Sequence, residues 1–209
     1  ANILTVVCPD LIFGETAAPV ISGNPSGGDI TYDYKAEGEP DSAYTNAVPV
    51  NAGKYIVRAS AAGTENYSAA SASAEFEIKQ ADISKISITA ERTSFEYNGK
   101  VQKPAAVLTW HDTKLKADTD YTAAAQESTI PGIYEISFTG TGNFTGKYQL
   151  EYIITSLDLT NADISIPAQT YSGSALAPVP TVSVNGLILT RDKDFSVSYE
   201  NNTNAGTAQ

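Results

Sequence analysis

An internal repeat restricts this chain more than any other feature. Tyr97-Asn98-Gly99-Lys100, followed by Pro104, returns as Tyr171-Ser172-Gly173-Ser174, followed by Pro178. Asp118-Thr119-Asp120-Tyr121 returns as Asp192-Lys193-Asp194-Phe195, and Pro131-Gly132 as Ala205-Gly206. Every pair lies 74 positions apart, with no gap between Tyr97 and Gly132. A fixed period marks one supersecondary unit copied along a chain. A more distant copy precedes these two. Phe13-Gly14-Glu15 before Pro19 corresponds to the Tyr-x-Gly…Pro opening, and Asn51-Ala52-Gly53-Lys54-Tyr55 to Ile130-Pro131-Gly132-Ile133-Tyr134. Gly63-Thr64-Glu65-Asn66-Tyr67 corresponds to Gly140-Thr141-Gly142-Asn143-Phe144, and Phe76-Glu77-Ile78 to Tyr152-Ile153-Ile154. The order of landmarks places three repeats at 1–79, 80–156 and 157–209. Repeat two runs 22 residues past Gly132 to Ile154, whereas repeat three runs three past Gly206. Repeat three is therefore expected to be an incomplete sandwich, short of its last two strands and with open strand edges.

Within each repeat the apolar residues alternate, the period of half-buried strands. Tyr134, Ile136 and Phe138 share one face, as do Tyr148, Leu150, Tyr152 and Ile154. Val182 and Val184 alternate in repeat three, followed by Phe195, Val197 and Tyr199. Ile83, Ile86, Ile88 and Thr93-Ser94-Phe95 open repeat two as short β pieces, and the alanine-rich 68–74 stretch reads as an edge strand. Asn98-Gly99, His111-Asp112, Gly140-Thr141-Gly142-Asn143 and Asn185-Gly186 read as turns, where Gly and Asn accept positive φ. The predicted fold is all-β: tandem immunoglobulin-like antiparallel β-sandwiches, the third truncated. Gly53-x-Tyr55-x-Val57 and Gly132-x-Tyr134-x-Ile136 support it. Each puts a Tyr at the entry of a strand, where its hydroxyl ties down the preceding corner, and an aliphatic residue where such domains carry a disulfide Cys.

Composition narrows the function classes. The chain is 42% hydrophobic and 18% charged, enough apolar residue to form cores. Its net charge of −11 disfavours nucleic acid and anionic membrane surfaces as partners. No apolar run reaches the ~20 residues of a membrane span, so no membrane insertion is expected. The absence of Met reads as a piece excised from a longer protein. Cys8 stands alone and reads as a small packed side chain.

No catalytic constellation emerges, and no catalytic, cofactor-binding or metal-binding residue is assigned. His111, the sole histidine, lies at a predicted turn without a nucleophile beside it. One His and one Cys cannot assemble a zinc site. The Asp118/Asp120 and Asp192/Asp194 pairs have two readings, calcium ligands or acceptors of backbone hydrogen bonds in a turn. Their recurrence at the repeat spacing favours the turn. Glu37, Glu39 and Asp41 read as an acidic loop, with calcium as the alternative. Gly140–Gly146 precedes no helix and reads as a hairpin connection rather than a phosphate cradle. Trp110 aligns with Val184 and is expected in the core. Tyr32, Tyr34 and Tyr44 form either a sugar platform or, for the first two, part of the core. Lys35, Lys54 and Lys147 with Asn66 or Asn143 are the candidates for an intramolecular Lys–Asn crosslink.

The motif string Tyr97-x-Gly99-Lys100…Lys103-Pro104, Leu115-Lys116…Asp120-Tyr121-Thr122, Gly132-x-Tyr134 and Gly140-Thr141-Gly142-Asn143-Phe144-Thr145-Gly146 resembles bacterial Ig-like repeats of large surface proteins. The Tyr199–Ala208 segment resembles the same family. Repeat one, through Ser22–Gly28 and Tyr32-Asp33-Tyr34, is similar to their MBG-type module. The resemblance implies a non-catalytic stalk or spacer of a secreted or cell-surface bacterial protein, with neighbouring domains of the same protein as partners and no cofactor. The alternative is an adhesive module for a glycan or a host surface protein. The linkers Lys79–Asp82 and Thr155–Asp158 lack glycine, which predicts a semi-rigid rod. Units of roughly 30–40 Å each would together reach on the order of 100 Å.

Overall fold

The computed structural model describes residues 3–204 and 206, and among them the chain is all-β with two short 3₁₀ turns. The strands of repeat one are β1 (Leu4–Val7), β2 (Leu11–Ile12), β3 (Val20–Gly23), β4 (Ile30–Ala36), β5 (Gly53–Ala61) and β6 (Ala70–Lys79). Then come β7 (Ala81–Asp82), β8 (Ser87–Ala90), β9 (Ser94–Glu96), β10 (Ala106–Trp110), β11 (Thr113–Lys114) and β12 (Tyr121–Ala125). The last are β13 (Gly132–Gly140), β14 (Phe144–Thr145), β15 (Lys147–Thr155), β16 (Asp163–Ser165), β17 (Thr181–Val184) and β18 (Leu187–Ile188). Two compact units result: Ala1–Arg92 with Pro104–Gln126 and Glu135–Glu151, and Thr93–Lys103 with Glu127–Tyr134 and Tyr152–Gln209. Strands β13 and β15 each run from one unit into the other.

In the first unit, repeat one forms a two-layer sandwich. A β1-β3 pair faces the sheet β2-β6-β5-β4. Leu4 and Val6 from one layer and Val57, Ala59, Phe76 and Ile78 from the other close a single core. Alternation along β5 makes this possible, since Val57, Ala59 and Ala61 point inward and Lys54, Arg58 and Ser60 outward. Pro9 separates β1 from β2 and cannot donate to a ladder, so the chain switches sheets there. As a result β2 enters parallel to β6, Leu11 opposite Ile78, a short exception to the antiparallel expectation. The alanine-rich stretch is a strand, as predicted. It is also an edge, since Ala70–Ala74 pair with β5 on one side while β2 joins the other side of β6 only at Ile78 and Lys79. Small residues at 70, 72 and 74 let it lie close against the core.

Repeat two follows the same plan: a β11-β10-β8 sheet, and a second sheet with the order β12-β13-β15-β9. That order reproduces β4-β5-β6-β2, including the parallel entry of β9 beside β15. Ile136, Phe138, Tyr152 and Ile154 are buried on the faces that alternation assigned to them, and Leu108 of β10 is buried with 1% exposure. Ile83 departs from its predicted strand. It lies in a 3₁₀ turn, Ile83–Lys85, whose Ser84 N–H donates to the Asp82 carboxylate at 2.9 Å.

In the second unit, repeat three supplies one sheet, β16-β17-β18, around Val182, Val184 and Leu189. The predicted strand through Phe195, Val197 and Tyr199 does not form. Its counterpart β12 is held by β13, Tyr121 opposite Gly140 through Ala125 opposite Ile136. Among the described residues this segment has no ladder partner, and Phe195 makes only an isolated bridge to Arg191. Ala205, Thr207 and Ala208, also read from the sequence, lie outside the described residues.

Candidate functional site: the repeat junctions

The most densely constructed non-core features are the two places where one repeat meets the next. Both use equivalent positions. In the first unit, Phe144 of β14 is 1% exposed and meets the Phe13 ring edge-on at 5.3 Å. Trp110 closes on the other side of Phe144 at 6.0 Å and stacks on His111 at 4.3 Å. A methyl on Gly14 would lie 2.9 Å from the Trp110 indole nitrogen, and φ there is +97°, so only glycine fits. The Asn143 side chain receives the Ala52 N–H at 2.8 Å and donates to the Asn51 side chain at 3.1 Å. The linker is itself paired. Strand β7 runs parallel to β14, Ala81 N–H donates to the Asn143 carbonyl at 3.0 Å, and Gln80 Nε2 donates to the Gly142 carbonyl at 2.8 Å. A 480 Å³ cavity lined by Phe13, Trp110, Leu115, Thr119 and Asp120 remains beside this seam.

In the second unit the corresponding seam brings Tyr97, Ile130 and Pro131 to Leu157, Leu189 and Asp194 around a 220 Å³ cavity. Leu189 and Asp194 match Leu115 and Asp120 at the 74-residue spacing, and Tyr97 stands where repeat one has Phe13. Here the tyrosine hydroxyl donates to Asp194 Oδ1 at 2.9 Å. Asp194 Oδ2 simultaneously receives the Thr190 N–H at 2.8 Å. The Thr190 amide, with Tyr97 assisting, holds the Asp194 carboxyl below the usual carboxylate range.

No family model and no curated protein sequence matches this chain. Among solved structures, the chain is similar to a mouse cadherin-23 fragment, EC22-24, at 14% identity over 87% of this chain and 78% of that one, with a TM-score of 0.24. It is similar to the protocadherin gamma B4 extracellular domain at 11% identity, over 87% of this chain and 40% of that one, TM-score 0.24. For protocadherin gamma B7 cadherin domains 1–4 the values are 12%, 87%, 54% and 0.24. A likeness at this level carries no argument about activity or partner. The sandwich architecture rests on the registers described above.

The remaining sequence candidates sort by their surroundings. Asp120 and Asp194 occupy identical loops. Asp120 Oδ2 receives the Lys116 N–H at 2.8 Å and its own N–H donates back to the Lys116 carbonyl at 2.9 Å; Asp194 does the same with Thr190 at 2.8 Å each way. Asp118 and Asp192 each have φ of +63° and donate N–H to the Tyr121 and Phe195 carbonyls. The Asp120 and Asp194 carboxylates are spent on backbone amides, whereas Asp118 and Asp192 shape the turn through their backbone, the Asp192 carboxylate pairing with Arg191 at 3.5 Å. Asp41 pairs with Lys35 at 2.8 Å beside Glu39, whose carbonyl also binds that lysine. Among the described residues no group of three His, Cys, Asp or Glu is placed around a common point. His111 and Asp112 form the two-residue β10-β11 turn, φ +43° and +62°, as Asn185 and Gly186 do between β17 and β18.

Trp110 departs from its expected core position. It is at the last residue of β10, so its ring overhangs the sandwich end and packs into the seam instead. The sugar platform does not assemble, because Tyr34 is buried and Tyr32 packs against the repeat-one core. Tyr44 is left, with the Arg58 guanidinium 3.9 Å and the Lys35 ammonium 4.9 Å from its ring. Of the crosslink candidates, Lys35 is taken by Asp41 and Asn143 by Asn51 and Ala52. The Gly140–Gly146 stretch connects β13 to β15 and seats β14 against the linker, a role the hairpin reading left out. The signal was present in sequence as Phe144, an aromatic residue inside a loop.

Proposed function

We propose that this chain is a run of non-catalytic structural repeats, a spacer or stalk segment of a secreted or cell-surface bacterial protein. The supporting observation is the seam. Two successive junctions use the same positions, an aromatic from the preceding repeat set against a leucine and an Asp loop of the next. A junction with an aromatic contact, side-chain hydrogen bonds and a paired linker restrains the angle between neighbours, which suits a load-bearing spacer. An uncoupled flexible tether would need a glycine- or serine-rich linker instead. The motif resemblance supports the bacterial, extracellular placement. Neighbouring repeats of the same polypeptide are its partners in this reading.

Small-angle scattering tests it. An elongated particle with a maximum dimension on the order of 100 Å is expected for three units in line. A profile of a compact globule, or of freely jointed beads, would sink the proposal.

A further inference from the structure

The first seam lacks a hydroxyl that the second seam uses. At the second seam both oxygens of the Asp194 carboxylate are taken, Oδ2 by the Thr190 N–H at 2.8 Å and Oδ1 by the Tyr97 hydroxyl at 2.9 Å. Asp120 is the same residue 74 positions earlier, and its Oδ2 likewise receives the Lys116 N–H at 2.8 Å. The aromatic residue at the Tyr97 position is here Phe13, which carries no hydroxyl. Among the described residues no donor replaces it at Asp120 Oδ1.

Phe13 and Asp120 both line the 480 Å³ cavity, a volume within the ~300–1,000 Å³ of small-molecule sites. Its aromatic wall is held in place from within the fold. The Trp110 ring stacks on His111 with the planes 13° apart, and Phe144 meets it edge-on. Lys114 and Lys116 line the cavity as well. An aromatic wall, one unpaired carboxylate oxygen and two lysines therefore share one space.

That combination selects among ligands. A cation is opposed by the two lysines, and an anion by Asp120 and by the chain's net charge of −11. A hydrocarbon would take water from the carboxylate oxygen without replacing its hydrogen bond. A neutral sugar satisfies all three groups. Each hydroxyl can donate to a carboxylate and accept from an ammonium, and the C–H face of the ring suits the negative face of an aromatic side chain. We propose that the first seam is a binding site for a neutral saccharide, one hydroxyl of which donates to Asp120 Oδ1 as Tyr97 does to Asp194. Such a site is compatible with a spacer and does not require one.

Trp110 is the sole tryptophan, so its fluorescence reports on this cavity without a label. The whole chain is titrated with glucose, galactose, mannose, N-acetylglucosamine, lactose and maltose. At least one of them is expected to give a saturable change. Phe13→Tyr restores the missing hydroxyl and should weaken that sugar by ~10-fold or more, with the circular dichroism spectrum unchanged. Asp120→Asn should weaken it similarly; because Asp120 also holds its own loop, Phe13→Tyr decides the matter if that variant does not fold. Tyr97→Phe, at the other seam, should leave the titration as it was. A flat response to all six sugars overturns the site, and so does unaltered affinity in Phe13→Tyr. Saturation by tetramethylammonium or acetate with no response to sugar would make the ligand an ion and overturn the saccharide assignment.

Discussion

Tyr55 and Tyr134 show how far a single residue can be read. Each hydroxyl donates to a carbonyl four residues upstream, Asn51 at 3.0 Å and Ile130 at 2.9 Å, as their place at a strand entry predicts. The ring folds back over its own glycine, so a methyl on Gly132 would sit 3.0 Å from the Tyr134 hydroxyl. Tyr134→Phe is expected to cost about 1 kcal/mol of stability in urea titration, the value of one hydrogen bond. Gly132→Ala should cost at least as much by displacing the ring. Cys8 was legible as a packed side chain and sits in the repeat-one core. Burial raises its thiol pKa, so little of the nucleophilic thiolate forms near neutral pH. Alkylation by iodoacetamide should be slow in the native chain and rapid in urea; fast native labelling would show that the core opens. Trp110 was misjudged because alignment gives strand position but not distance from the sandwich end. Val184 is small enough to be covered at that place, and an indole extends past it.

Among the elements, the Asp-x-Asp loop carries the most information per residue. Two copies at one spacing imply a shared backbone role, and both close the same amide and carbonyl of the residue four before. Asp120→Ala leaves the Lys116 N–H without that acceptor and should lower stability by about 1–2 kcal/mol. Asp120→Asn keeps an acceptor and should recover part of it; equal losses would mean that the carboxylate does not cap the loop. The 195–199 segment shows the limit of periodicity. Phe195, Val197 and Tyr199 alternate as a strand should, yet a strand exists only with a partner. Alternation reports which side chains can share a face, and pairing is a property of two segments.

For the molecule as a whole, stability should be carried by the seams and bounded by pH. Phe144→Ala empties a fully buried aromatic site and is expected to cost about 3–5 kcal/mol. If the seam couples the repeats, Phe13→Ala combined with Phe144→Ala should lose clearly less than the two losses added. Additive losses would argue against a coupled junction. The Asp10, Asp41, Asp82, Asp158 and Asp194 carboxyls are held low, chiefly by the Glu77 amide, Lys35, the Ser84 amide, the Thr160 hydroxyl and the Thr190 amide respectively. Depressed carboxylates stabilise the fold above their unfolded value near ~3.9 and lose that contribution as pH falls through the folded values. Burial raises the Tyr34 and Tyr152 phenols, so their contribution is complete below ~10 and disappears as pH climbs past it. The melting temperature should be nearly level between these limits and fall on both sides. Asp194→Asn should flatten the acid side; an unchanged acid limb would show that its hydrogen bonds do not favour the folded carboxylate.

Period, alternation and turn residues were enough to identify sandwich repeats, the tyrosine ties and the turn role of the Asp pairs, because each is a local contest between neighbouring backbone groups. The parallel entry of β2 and β9, the burial of Phe144 in a loop and the displacement of Trp110 into a seam arise only when distant segments compete for one space. That competition depends on which surfaces meet, and no window of the chain contains both.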